Sequence, residues 1–301
     1  MLSIDSITDP KRMALLKKLE WRVRHAANSV LGGEYRSTFR GKGMEFDQVV
    51  PYAYGDDVRD IDWNVTARLG EPYRKKFIEE REVTLLIVFQ DSVSLKFGSG
   101  GKTKRDALLE LAVCLMLLGA VNRDRTALYY AGPQHDWYIE PAAGRGKIYA
   151  AASQLLAQQE PALDAASDVQ LPWKFLSQAV PRHSVCLWLG DFPYSEERPS
   201  GWPILSKRYQ MMGFRVEDPW ERRLPDVGEI SAYDPVTGDM AVVHPADTSQ
   251  RKVHAQWVVQ RDAYFKSLYP DMRSCMTLSN GDDVFDCLVH FLARRSLGGR
   301  M

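Results

Sequence analysis

The chain has 301 residues, enough for one large domain or two modest ones. Its 39 Lys+Arg balance 39 Asp+Glu, so it lacks the positive field that a general nucleic-acid binder needs. The 4 cysteines (Cys114, Cys186, Cys275, Cys287) form no Cys-x-x-Cys pair, and three of them sit in apolar runs. They read as buried thiols of a reducing compartment, not as a disulfide frame or zinc site.

Residues Met1 to Lys11 are polar and lack the apolar stretch of a secretory signal. The longest apolar run, Leu111 to Val121, falls short of the roughly 20 residues of a membrane span. The expectation is a soluble, cytoplasmic protein. Lys11 to Val30 has helical character, with Leu15, Leu16, Leu19 and Val23 set among Lys and Arg. Nine basic residues from Lys11 to Lys42 (among them Arg22, Arg36 and Arg40) face Glu20 and Glu34. That suits a solvated helix face, or else a contact with a partner or a membrane surface. Glu45 to Asp62 reverses the sign, six acids against Arg59, which suggests that the two segments dock on each other.

The pattern then changes. Val83 to Phe89 is a continuous β-branched and aromatic run, as expected of a strand covered on both faces. A buried helix follows from Thr103 to Ala120, with Thr103 as N-cap and Asp106 three residues on. Thr126 to Tyr130 and Trp137 to Ile139 are short strands, and Lys147 to Gln158 is an Ala-rich helix. Glu160 to Gln170 is the one loop-like gap. Ser184 to Leu189 is a second buried strand ending at Gly190-Asp191, and Met211 to Val216 a further one. Asp234-Pro-Val-Thr-Gly238 reads as the turn of a hairpin. Ser249 to Leu268 is an amphipathic helix with Val253, Trp257, Tyr264 and Leu268 on one stripe, and Asp282 to Arg295 a last helix with Val284, Leu288 and Phe291 inward. Strands alternating with helices predict a doubly wound, mainly parallel α/β sheet with helices on both faces.

Two segments are unusually specific. One is Tyr52-Ala-Tyr-Gly-Asp-Asp-Val-Arg-Asp-Ile-Asp-Trp63 with Thr66-Ala-Arg68, Arg74, Phe77 and Glu80; the other is Gln90-Asp-Ser-Val-Ser94 with Phe97-Gly98. Together they resemble the bacterial family known as domain of unknown function 58, through Asn122-Arg-Asp-Arg125, Gly190-Asp191, Asp218-Pro219, Leu224-Pro225 and the Asp234 turn, over roughly residues 13 to 295. The resemblance implies a von Willebrand A-type fold over residues 81–301, preceded over residues 1–80 by an N-terminal helix and a clasp. It implies a MoxR-type AAA+ ATPase as partner. Many relatives carry membrane helices ahead of this region.

The clasp also makes sense from its residues. Gly55 permits a turn conformation that other residues resist. Asp56 and Asp57 accept backbone N–H bonds, Arg59 and Arg68 suit nearby carboxylates such as Asp62, and Trp63 supplies a large apolar anchor. The segment reads as a structural clasp on the main domain, or as a partner-docking surface.

The resemblance further implies a metal-ion-dependent adhesion site, in which two serines and two aspartates hold a divalent cation. Ser92, Ser94 and Asp191 match, but Gln90 stands where the first aspartate belongs, and no threonine stands out in Gly144-Arg-Gly146. Hard cations prefer charged oxygen ligands, so the site is expected to be degenerate and to bind Mg²⁺ weakly at most.

Two enzyme readings are available. Gly98-Ser-Gly-Gly-Lys-Thr103 resembles the end of a phosphate-binding loop with Lys102 and Thr103, but Lys96 stands at its first glycine position. No Gly-x-Ser-x-Gly elbow or His-Glu-x-x-His pair is present, and the 6 histidines are scattered. The expectation is a non-catalytic adaptor. A nucleotide-binding enzyme and a stand-alone metal-dependent ligand binder are the alternatives.

Overall fold

The computed structural model describes residues 9–26, 35, 39, 44–79, 83–162, 169–233 and 239–297. Helix α1 (Pro10–Ala26) sends Leu16, Leu19 and Val23, spaced three and four apart, into the main core. Full burial of each stabilises by about 1.5–3 kcal/mol. Among the described residues, Arg22 and Arg24 of its basic face do not pair with the acidic segment, which the reversal of sign suggested as the partner. Arg22 instead binds Asp283 at 2.8 Å and Asp286 at 2.9 Å, because the apolar stripe of α1 fixes it against the body. Arg36, Arg40 and Lys42 lie outside the described residues.

An arm follows, made of β1 (Met44–Pro51) and β2 (Tyr73–Glu79), antiparallel from Met44↔Glu79 to Pro51↔Tyr73. Between them lie a short turn (Val58–Asp60) and α2 (Trp63–Leu69).

The body is a six-stranded sheet. Its strands are β3 (Thr84–Gln90), β4 (Arg125–Ala131), β5 (Asp136–Ala142), β6 (Val185–Gly190), β7 (Gln210–Glu217) and, after the hairpin below, Cys275–Ser279. Helices alternate with them: α3 (Lys104–Val121), α4 (Arg145–Leu156), α5 (Trp173–Ala179), α6 (Trp202–Arg208) and the single turn α7 (Pro219–Arg222). The hairpin β8 (Ile230–Tyr233) and β9 (Met240–Val243) follows, then α8 (Thr248–Leu268), β10 (Cys275–Ser279) and α9 (Val284–Leu297). The turn at 234–238 and residues 163–168 of the loop-like gap lie outside the described residues.

The strand order is β10-β7-β6-β3-β4-β5, parallel except for the antiparallel edge strand β5. This is the doubly wound α/β architecture that the alternation predicted. Successive residues of β3 and β6 divide between the faces. Leu85, Ile87, Phe89 and Leu187 pack with α1, α3, α4 and α9, whereas Leu86, Val88, Cys186 and Trp188 pack with α5, α6 and α8. Helix α3 is buried on nearly every side and opens with a reciprocal capping box between Thr103 and Asp106.

Helix α8 departs from its predicted stripe. Val253 is 63% exposed, and the buried residues are Arg261, Phe265 and Leu268. Only the carboxyl half of α8 lies on the sheet. In its amino half, His254 and Trp257 line a groove.

Candidate functional site

Parallel strands place their carboxyl ends side by side, so residues following β3 and β6 meet at one edge. Phe89 pairs with Leu189, which sets Asp91–Ser94 beside Gly190-Asp191. After β3 the chain enters a tight turn (Val93–Lys96) that buries Val93 and Leu95 and turns the serines inward. Ser92 Oγ and Ser94 Oγ are 2.8 Å apart, and Ser94 Oγ donates to Asp191 Oδ2 at 2.8 Å. Ser92, Ser94 and Asp191 are therefore brought together.

Gln90 is not part of this cluster. Its amide donates to the Val169 carbonyl at 2.7 Å and its carbonyl accepts from the Trp188 indole at 2.9 Å. A neutral amide with both donor and acceptor fits between these two groups, which a carboxylate would not.

The groups that complete the cluster come from helices. Lys104, at the start of α3 and fully buried, donates to Asp191 Oδ1 at 2.9 Å and to Glu221 Oε1 of α7 at 2.6 Å. Burial opposes its charge, but Asp191 and Glu221 outweigh this and hold the ammonium above its ordinary pKa. Asp191 is likewise opposed by burial and held below its ordinary value by Lys104 and Arg261. Arg261 of α8 reaches Glu221 at 3.4 Å and Glu217 at 3.1 Å. An ammonium thus occupies the carboxylates that a divalent ion would need, and Gln90 supplies no charge in compensation. The residues present do not fit a Mg²⁺ ion.

Beside this cluster Asp91 is fully buried. Arg105 clamps it through Nε and a terminal nitrogen at 2.8–3.0 Å, and Tyr130 Oη donates to it at 2.8 Å. Lys104, Glu221, Asp91 and Arg105 were all missed from sequence. One signal was present. Lys104 and Arg105 sit in the first turn of an apolar helix, where the macrodipole disfavours cations unless carboxylates face them.

The phosphate-loop look-alike is engaged internally. Lys102 pairs with Glu110 and Thr103 is spent on the capping box. The loop's Ser99 holds an anion of the chain itself: Asp218 accepts from Ser99 N at 2.7 Å and Ser99 Oγ at 2.6 Å, and also from Trp220 N at 2.9 Å and Asn280 Nδ2 at 2.7 Å. Burial opposes the Asp218 charge, but these bonds keep its carboxyl below the usual range. A depressed folded value means that its contribution is present above the unfolded value of about 4 and lost as pH falls through the folded one. Asp218→Asn should cost about 1–3 kcal/mol in urea melts at neutral pH, and variant and wild type should converge in acid. A gap that stays constant with pH would count against this role.

In the arm, Gly55 turns at φ +104°, Asp56 Oδ2 accepts from Ala53 N at 2.9 Å, and Asp57 Oδ1 accepts from Arg59 N at 2.9 Å. The Arg59 side chain holds the Asp57 carboxyl down at about 2. Asp62 caps α2 through Asn64 N and Val65 N, and Arg74 binds Asp56 at 2.7 Å. Arg68 is exposed. Trp63 is not the buried anchor expected of it. It is 67% exposed, because the N-cap at Asp62 starts the helix with the ring facing outward. A groove of about 570 Å³ opens beside Ser94 and Glu221, walled by Phe97, Trp220, Tyr233 and Trp257.

These features define an α/β protein whose polar cluster lies at the carboxyl edge of a mainly parallel sheet. The chain belongs to the family described as "Protein of unknown function DUF58", whose model matches residues 48–263. It is 28% identical over 234 residues to the uncharacterized protein Rv1480 of Mycobacterium tuberculosis and, to the same extent, to Mb1516 of Mycobacterium bovis, covering 77% of this chain and 73% of each relative. Among solved structures it is similar to the conserved hypothetical protein BatB from Bacteroides thetaiotaomicron (TM-score 0.41, 12% identity, 71% of this chain and 99% of that one). It is also similar to an aerotolerance-related membrane protein from Bacteroides fragilis (TM-score 0.35, 13% identity, 72% and 99%).

The expectation of a cytoplasmic protein is corrected here. One of the similar structures is that of an aerotolerance-related membrane protein. No helix among the described residues is long and apolar enough to cross a membrane, but that is a property of those helices and does not fix a compartment.

Proposed function

We propose that this chain is a non-catalytic, von Willebrand A-like adaptor that partners a MoxR-type AAA+ ATPase and docks on it through the arm. The observation that carries this reading is the arm's outward face. Tyr54, Val58, Trp63 and Leu69 are each more than half exposed, and none of residues 52–73 is buried. Apolar side chains concentrated on one self-braced element mark interaction sites more often than scattered ones do.

The bracing is internal. Asp62 N donates to the Tyr73 carbonyl at 2.8 Å, Tyr52 N to the Pro72 carbonyl at 2.8 Å, and Tyr73 N to Thr66 Oγ1 at 3.0 Å. The arm therefore keeps its shape without burying its aromatics, which favours docking over the clasp. Its acids, Asp57, Asp60 and Glu71, suit a partner surface that is apolar with a basic rim. The partner class rests on the family resemblance. The engagement of Lys102 and Thr103 within the fold supports an adaptor over a nucleotide enzyme.

The test is affinity capture from the source cells with the full chain as bait, read by mass spectrometry, followed by titration against the recovered ATPase. Trp63→Ala and Tyr54→Ala should each weaken binding about tenfold or more with an unchanged melting temperature. Absence of an AAA+ ATPase from the captured proteins, or variants that bind as the wild type does, would sink the reading.

A further inference from the structure

We infer that the Lys104 ammonium permanently replaces the divalent ion of the adhesion-type site, so that this site is assembled and charge-balanced without metal. This goes beyond the docking reading and does not depend on it. Ser92, Ser94 and Asp191 come together in the manner required of such a site, so the loop geometry has been kept while the cation has changed.

Both Asp191 oxygens are used, one by the Ser94 hydroxyl and the other by Lys104. The second carboxylate, Glu221, receives Lys104 on one oxygen, while the other accepts from Asp218 N at 2.9 Å and faces Arg261 at 3.4 Å. Two cations (Lys104 and Arg261) thus stand with Asp191, Glu221 and the shared Glu217. A divalent ion would have to share Asp191 with a buried ammonium 2.9 Å from it, at a place with little water to screen the repulsion.

Lysine suits this role. Its ammonium is a compact point charge with three donors, and its stem is anchored in the first turn of α3 directly after the Thr103 cap. The ammonium's hydration is lost once, on folding, and Asp191 and Glu221 replace it. The same contacts tie β3, β6, α3 and α7 together, as a shared metal ion would. Since Lys104 is fully buried, a ligand carboxylate cannot reach it in the way that it would complete the shell of an exposed metal.

Removing the ammonium should uncover the latent site, with Asp191 and Glu221 as its two carboxylates and Ser92 and Ser94 as its hydroxyls. The experiment compares wild type, Lys104→Ala and Lys104→Met, the last keeping most of the stem's packing. Each is melted in EDTA and in rising Mg²⁺ or Mn²⁺, with calorimetric titration of the metal alone. The wild type should show no saturable metal binding and the same melting temperature throughout. At least one Lys104 variant should melt lower in EDTA and recover progressively as metal is added, as mass action requires. Adding Ser94→Ala to that variant should abolish the recovery. Saturable binding by the wild type would overturn the inference. So would Lys104 variants that neither metal rescues, whether they fold or not, or a recovery that survives Ser94→Ala.

Discussion

Replacing Arg105 by alanine should lower the stability of the fold by about 3–5 kcal/mol, because it strands a fully buried Asp91 carboxylate without its counter-charge. The guanidinium does more than neutralise. It binds Asp91 through Nε and a terminal nitrogen, and the latter also donates to the Gln158 carbonyl at 3.2 Å, so one side chain ties β3 to the end of α4. For a chain of this size the expected fall in melting temperature is roughly 10 °C by calorimetry.

The pair itself need not be a net source of stability, since removing both charges from water is costly. Asp91→Leu with Arg105→Met and Tyr130→Phe, which also removes the hydroxyl that would lose its acceptor, should regain most of the loss. A single-variant cost below about 1 kcal/mol would mean that water reaches Asp91 and that the site is less dry than its burial implies.

The elements that the sequence announced are those whose signal is local. Val83 to Phe89 and Ser184 to Leu189 are unbroken apolar runs, which only a strand covered on both faces can bury, and they became the central strands β3 and β6. Thr103 and Asp106 announced the start of α3 because a capping box is a three-residue device. The serines and Asp191 were found through the family's motif, which records their place at strand ends.

What stayed hidden depends on how distant residues converge. Nothing in the local pattern says that Lys104 reaches across to Glu221, 117 residues away. Nor does it say that Gln90 is held by Trp188 on β6, since the alternation of a strand buried on both faces does not declare which face its last residue takes. Trp63 was misjudged because size and apolarity predict burial on average, whereas an arm projecting from the body can leave such a ring in solvent. On α8 a regular stripe pointed to Val253, but only part of a long helix needs to lie on the sheet.

Gly213→Ala should be among the most damaging single-methyl changes in the chain, at about 3 kcal/mol, near the upper end for overpacking. In sequence this glycine looks like a weak point in a strand. In the fold it is a contact. A methyl there would lie 2.2 Å from the Tyr269 ring, well inside van der Waals distance. Neither side can give way easily. Gly213 sits in β7, in register between Trp188 of β6 and Cys275 of β10, so its strand is paired on both edges. Tyr269 is 1% exposed, and its ring is hemmed in by those of Trp202 at 5.2 Å, Phe265 at 5.3 Å and Phe192 at 6.0 Å. Phe192 directly follows Asp191, at a φ of +51°, so a ring displaced by the methyl would push on the turn that carries the candidate site. The measurement is a denaturant melt of Gly213→Ala alone and in a Tyr269→Leu background, where the smaller side chain leaves room. The two changes share one contact and should be strongly non-additive, with the alanine costing far less in the second background. Equal costs in both would show that the methyl strains the strand itself and that the tyrosine is not the obstacle.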